Sequence, residues 1–341
     1  MNMRTSTEEI RNFIIQNTET HSTDIARFAA TNFNITVQAV NAHLKALIRN
    51  NILEAKGKTK ARQYKLKQTQ SSFLYKITPE LSEDRVWVTD IEPFVSKFEN
   101  NVQRIWIYCF SEMFNNAIDH SGGNNITVNI LQDFLKTNIV IQDDGVGIFN
   151  KVAAFLQVSD LREAVTEIAK GKFTTDKRHH TGEGIFFTSR TVDKFFIWSY
   201  AISWMHYFDK ADWVFDENTE NEFRGTSVSL TLSNKTDRTL KEVFERFGSP
   251  DFDSTVIPVV LMDSDNVGLV SRSQARRLLS RLESFKSIIL DFKGVSEIGQ
   301  AFADEIFRVF PSYHPGIKIG TINTTIDIDN MISRAKNQLR L

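Results

Sequence analysis

Residues 112–121 read Glu112-Met113-Phe114-Asn115-Asn116-Ala117-Ile118-Asp119-His120-Ser121. On a helix, Glu112 and Asn116 stand one turn apart on the same face. A side-chain amide oxygen in that position can bind Mg²⁺, a hard cation that takes oxygen ligands together with substrate phosphates. A carboxylate one turn earlier can orient or deprotonate a water or hydroxyl attacking a terminal phosphoryl group. Exposed helix faces supply such pairs often, so this pair gains meaning only from its company further along the chain.

Three more elements lie downstream. Val140-Ile141-Gln142-Asp143-Asp144-Gly145-Val146-Gly147-Ile148 is an apolar strand ending in a carboxylate and two glycines at alternate positions. The carboxylate can accept from an exocyclic amine such as that of adenine, and the glycines let the backbone approach a ligand. An ordinary tight turn would use the same Asp-Asp-Gly. His180-Thr181-Gly182-Glu183-Gly184-Ile185 leads into the apolar run Phe186, Phe187 and Val192. Free N–H groups at a helix start, helped by the helix dipole, favour an anion. Upstream, Lys172, Lys177, Arg178, His179 and His180 gather positive charge. Finally, Arg224-Gly225-Thr226-Ser227-Val228-Ser229-Leu230 opens a late strand with a glycine and a hydroxyl.

In this order and at these separations, the four elements resemble the N box, the two glycine boxes and the late Gly-Thr strand of the GHKL superfamily (gyrase, heat-shock chaperone, histidine kinase and MutL). The resemblance covers residues 106–232 and implies a Bergerat-type α/β sandwich that binds ATP and Mg²⁺. It implies Glu112 as general base and Asn116 as the Mg²⁺ ligand. Asp143 would read the adenine amine, with Thr226 near the base and Gly145 and Gly147 shaping the pocket. Gly182 and Gly184 would hold phosphates, with Lys177, His180 and Thr181 beside them. Residues 149–181 would form the ATP lid, a mobile cover. Two features depart from the pattern. His180 stands where the second glycine box usually begins with glycine. No phosphoacceptor hairpin of the histidine-kinase kind precedes the domain, since no histidine lies between His43 and His120. The Glu112-x-x-x-Asn116 pattern and the Asn-Ala-Ile-x-His run to His120 resemble instead the members that hydrolyse ATP or phosphorylate serine, the anti-sigma-factor serine kinases among them.

The net charge of −1 hides an asymmetry. Residues 1–70 hold eleven Lys and Arg against five Asp and Glu, a balance of +6 that leaves −7 for the rest. A basic module on an acidic body suggests a polyanion partner. Apolar spacing predicts helices over Glu8–Gln16, after a Ser22 cap, and over Thr36–Asn50, whose apolar face is Val37, Val40, Leu44, Leu47 and Ile48. Residues 51–66 alternate like a hairpin with a basic tip. Three helices and a basic hairpin resemble a winged helix-turn-helix domain, which implies DNA binding. The third helix would offer Gln38, Asn41, His43 and Lys45 to base edges, and Lys58, Lys60 and Arg62 would meet phosphates. A protein-interaction module with a charged face is the alternative.

Residues 71–105 read as a connector of mixed strand and helix signals. Near the C-terminus, Ser271 to Leu279, Ile288 to Val295 and Ile298 to Phe307 resemble a STAS-like domain of unknown function, placed over residues 255–341. STAS domains are partners and substrates of anti-sigma kinases. The expected phosphoacceptor place reads Glu297-Ile298-Gly299-Gln300, with only Ser296 nearby. The stripe Arg272, Arg276, Arg277 and Arg281 reads as a helix face or as a contact for a nucleotide or acidic partner.

The whole reads as a multidomain α+β protein: winged helix at 1–70, ATP-binding domain at 106–235, and STAS-like domain. It would be an ATP-responsive regulator, with a serine/threonine kinase and a non-hydrolysing scaffold as rivals. A protein partner, a phosphoryl acceptor and a homodimer all stay open. Met1 to Ile10 is polar and charged, unlike a signal peptide, and no apolar run approaches the roughly 18 residues of a membrane span. A single cysteine, Cys109, sits among apolar neighbours and reads as a core residue. These features fit a cytoplasmic protein.

Overall fold

The computed structural model describes residues 6–58, 62–173, 182–216, 224–247, 253–263, 268–283 and 285–337. The chain divides into two compact units: residues 1–72 with 129–139 and 232–235, and residues 73–128, 140–231 and 236–341.

In the first unit, α1 (Thr7–Asn17), α2 (Ile25–Phe33) and α3 (Val37–Arg49) precede an antiparallel hairpin of β1 (Leu53–Lys56) and β2 (Gln63–Leu66). Ser6 caps α1 by accepting from the Glu9 N–H at 3.1 Å, and Thr36 caps α3 by accepting from the Ala39 N–H at 3.2 Å. Each satisfies an amide that lacks a helical partner. Ser22 is not the cap expected for α2. Asp24 precedes that helix, and the Ser22 carbonyl accepts from the Tyr64 N–H at 2.8 Å, tying the hairpin to the helix start. Ile14, Ile25, Val40, Leu44, Leu53 and Leu66 share one core. Val37, the first residue of α3, lies outside that core, 39% exposed.

The chain continues through β3 (Thr69–Lys76), α4 (Glu83–Val86), a π turn (Trp87–Ile91), α5 (Glu92–Val95) and α6 (Asn100–His120). The stretch read as a connector therefore holds an edge strand and the first turns of α6. Next come β4 (Asn125–Gln132), β5 (Lys136–Asp143), α7 (Ile148–Leu156), α8 (Leu161–Lys170) and α9 (Gly184–Thr191). They are followed by β6 (Lys194–Ser199), β7 (Ile202–Tyr207), β8 (Trp213–Asp216), β9 (Ser227–Ser233) and α10 (Leu240–Phe247). One seven-stranded sheet has the order β3-β4-β5-β9-β6-β7-β8, with β9-β6-β7-β8 antiparallel throughout. The turn between β4 and β5 belongs to the first unit. There Asp133 accepts from the Leu135 and Lys136 amides, Phe134 and Leu135 pack on the three-helix core, and Lys136 pairs with Glu19 at 3.1 Å.

The C-terminal part starts with β10 (Ser254–Pro258), a 3₁₀ turn (Val259–Met262) and α11 (Arg272–Leu279). Then β11 (Ser287–Asp291) and α12 (Gln300–Asp304) lead through a π turn (Glu305–Val309) into α13 (Phe310–Tyr313), β12 (Lys318–Ile322) and α14 (Ile326–Asn337). β10, β11 and β12 form a parallel sheet with β11 central. Its core is not self-contained. Phe186 and Phe187 of α9 and Val243 of α10 join Leu278, Ile288, Leu290, Phe302 and Ile306 in one cluster. The arginine stripe stays at the surface but has carboxylate partners within the chain: Arg276 bonds Glu305 at 2.7 Å, and Arg272 lies 3.8 Å from Asp304. Arg277 and Arg281 face Glu163 and Glu167 of α8.

Among the described residues no helix is long and apolar enough to cross a membrane. Because Phe186 is fully buried and serves two segments at once, Phe186→Ala should cost about 3–5 kcal/mol of stability. Urea unfolding followed by intrinsic fluorescence measures this, and a loss below about 1 kcal/mol would show that the cluster is not continuous.

Candidate functional site

Strand pleating explains why a carboxylate is buried at the end of β5. Alternate residues Thr137, Ile139, Ile141 and Asp143 face inward, so Asp143 continues an apolar row and is 6% exposed. Its Oδ1 accepts from the Gly145 N–H at 2.9 Å and the Thr226 N–H at 3.2 Å. The backbones close the same knot, the Asp143 N–H donating to the Thr226 carbonyl at 2.9 Å. The Thr226 hydroxyl in turn accepts from the Ile148 N–H at 3.0 Å, fixing the start of α7. Burial pushes the Asp143 carboxyl above its usual range, against the pull of those hydrogen bonds.

Glycine is required where these segments meet. A Cβ on Gly225, at φ +106°, would overlap the Asp143 carbonyl. Gly147, at φ +82°, lies against Ser199 and Tyr200. Both conformations are open to glycine and costly for other residues. On α6, Glu112 and Asn116 face the same space. A Cβ on Gly184, at the start of α9, would overlap the Glu112 carboxylate. The α6 helix and the glycine-containing start of α9 are thus in direct contact.

These segments enclose a cavity of about 280 Å³. Glu112, Asn116, Asp143, Gly182, Gly184 and Thr226 all line it. Gly145 and Gly147 are not in the lining; they shape the turn behind Asp143. Lys177, His180 and Thr181 lie outside the described residues. Of the stretch expected as a lid, residues 149–156 belong to α7 and 161–170 form α8, and every residue from Ala164 to Lys170 is buried.

Sequence reasoning missed Lys151. One turn into α7, its ammonium donates to the His120 carbonyl at 2.8 Å and its side chain lines the cavity. A lysine inside a mostly apolar helical run, just after the Gly-x-Gly turn, was the available signal. The apolar walls Ile141, Ile168, Phe173 and Val228 were missed as well, because they come from four different elements or loops.

The first unit brings together only part of the expected nucleic-acid set. Gln38, Asn41 and Lys45 fall on one side of α3, with Gln38 and Lys45 exposed. His43 lies about 140° round the helix from Gln38 at 3.6 residues per turn. Burial and the Arg11 charge hold its pKa below the usual value. The exposed Arg49 shares the Gln38 side instead. Lys58 and Arg62 are exposed at the hairpin, Arg62 over the Tyr64 ring, and Lys60 lies outside the described residues. Cys109 is buried and its thiol is pushed far up by burial, so it is a core residue.

Residues 274–329 match the family model described as a STAS-like domain of unknown function. No curated protein matches the chain. Within the matched segment Ser296 is exposed, and its carbonyl accepts from the Thr325 hydroxyl at 2.8 Å.

The raised Asp143 pKa carries a sign. The ionised carboxylate is disfavoured in the fold, so its contribution is fully favourable below the unfolded value and is lost as pH rises through the folded one. Asp143→Asn cannot ionise. Its midpoint of thermal unfolding should therefore gain on that of the wild type between about pH 4 and neutrality. A difference that shrinks over this range would contradict the burial argument.

Proposed function

We propose that the chain is an ATP-binding regulatory protein in which a GHKL-type nucleotide site acts as a switch. One observation carries the reading: the four sequence elements, drawn from positions 112 to 226, converge on one cavity whose lining includes a buried carboxylate and a helix N-terminus. The donor set suits an adenine nucleotide. Asp143 offers a desolvated acceptor to an exocyclic amine, between apolar walls that suit a flat base. The N-terminus of α9 and the Lys151 ammonium offer positive charge to phosphates.

Bound ATP with Mg²⁺ would bring a transferable phosphoryl group, and Asn116 is the residue in the cavity suited to hold the ion. Glu112, against the backbone of Gly184, takes a proton from an attacking water or hydroxyl. Asn116 and Lys151 orient the phosphates, and Ile168 and Phe173 exclude solvent. The first unit contacts DNA in this reading. Gln38 and Asn41 offer amides to base edges, while Lys45, Arg49, Lys58 and Arg62 neutralise backbone. Its +6 balance supports this. The STAS-like segment receives the change in the nucleotide site, since α9 is part of its core.

Calorimetric titration with ATP and Mg²⁺ tests the site. Asp143→Asn should weaken ATP roughly tenfold or more. Lys151→Met should weaken ATP by a similar factor and leave adenosine affinity unchanged. Unaltered ATP binding in Asp143→Asn would remove the nucleotide assignment. With γ-labelled ATP, Glu112→Ala should bind nucleotide but release no free phosphate. Label appearing on protein would favour the serine-kinase alternative.

For the first unit, full-length protein should bind duplex DNA with an affinity that falls as salt rises. Lys58→Ala should reduce the salt slope by about one. A slope near zero would rule out the nucleic-acid role.

A further inference from the structure

Lys170, the last residue of α8, is 2% exposed, and Glu167 one turn earlier is 6% exposed. The Lys170 ammonium donates to Glu167 Oε1 at 2.5 Å and to the Ser280 carbonyl at 2.8 Å. The Arg277 carbonyl and the Ser280 hydroxyl are each at 3.3 Å. The Ser280 hydroxyl also approaches Glu167 Oε1, at 3.1 Å. The Lys170 carbonyl accepts from the Thr255 hydroxyl at 2.6 Å. The charged groups thus lie between α8 and the C-terminal end of α11, and Ser280 and Arg277 belong to the segment matched as STAS-like.

Stability alone is a poor reason for this arrangement. Burial works against the ammonium and lowers its pKa, with Glu167 opposing the shift. Apolar residues of similar volume would often do as well or better in such a place. An apolar contact, however, sets no register. An ammonium has three N–H donors and no acceptor. Here they reach one carboxylate, the Arg277 carbonyl in the last turn of α11 and the Ser280 carbonyl just past it, at the helix end that favours a cation. That fixes where α8 stops relative to α11. Ile168, about 160° round the helix from Lys170 at 3.6 residues per turn, lines the nucleotide cavity, as does Phe173 just beyond.

We propose that Lys170 is a positioning residue for the nucleotide cavity, registering α8 on the terminal carbonyls of α11 so that ligand binding and seating of the STAS-like segment are linked. The inference rests on the reading of the cavity as an ATP site. Linkage is reciprocal: if seating of α11 favours ATP, then ATP favours seating of α11. Arg190 adds a parallel tie, donating to the Ala169 carbonyl at 3.3 Å and to the Val256 carbonyl of β10 at 2.7 Å.

The test uses the full chain. Lys170→Met alone leaves the Glu167 carboxylate buried without its ammonium, so the neutral pair Glu167→Gln/Lys170→Met is the informative variant. Its ATP affinity, measured with Mg²⁺ present, should fall roughly tenfold, mainly through faster release. In wild type, ATP should slow amide hydrogen exchange over residues 272–280, none of which lines the cavity. That slowing should vanish in the double variant. Wild-type ATP affinity in the double variant, or no ATP effect on 272–280 in wild type, would overturn the proposal. If wild type binds no ATP, the nucleotide reading itself has failed. Exchange over residues 161–173 without ligand then judges the positioning role: faster exchange in the double variant supports it, and unchanged exchange overturns it.

Discussion

Helix α9 is committed to two neighbours at once. At its first residue, the Gly184 backbone lies so close to the Glu112 carboxylate that a Cβ there would displace it. Two and three residues later, Phe186 and Phe187 enter the core that covers the C-terminal parallel sheet. One short helix therefore lines the cavity and completes the packing of a different sheet. Moving it to suit one neighbour disturbs the other, because a close-packed interior has few voids to absorb a shift.

Buried polar groups reinforce that constraint. Arg190, on α9, is 2% exposed and bonds the carbonyls of Phe186, Ala169 and Val256, joining three segments through main-chain acceptors. Its guanidinium lies 3.7 Å from the Phe186 ring centroid. Burial lowers its pKa to about 10, while Asp212 and Asp291 pull the other way, so the cation persists at neutral pH. Asp212 is itself held, accepting from the Trp204 indole at 2.8 Å and lying 2.6 Å from His206 Nδ1. Such networks confer direction as well as energy, which suits a region where strand ends and helix ends must meet in register.

Much of the candidate site was legible in the sequence because its signals are local. A Glu and an Asn four apart on a helix must share a face, and a strand that alternates must bury every second residue, Asp143 included. The glycines at 145 and 147 marked a close backbone approach, and those at 182 and 184 a helix start, before any tertiary contact was known. Ser22 misled because the chain makes a further turn before α2 begins. His43 was grouped by residue type without its angle on α3, which sets it apart from Gln38, Asn41 and Lys45, whose spacing places them on one side.

The sequence by itself determined the helix and strand periods, the order of the four site elements, the basic balance of the first 70 residues and the STAS-like pattern near the C-terminus. These arise from neighbours within a few residues, whose geometry the backbone dictates. Only the tertiary structure decided that Lys151 joins the cavity, that the β4–β5 turn packs with the N-terminal helices, that α9 belongs as much to the C-terminal core as to the site, and that Lys170 of α8 bonds the end of α11. It also decided that the arginine stripe of α11 is matched by carboxylates within the protein. Each depends on partners tens to more than a hundred residues away, and no local period records which distant surface a buried face will meet.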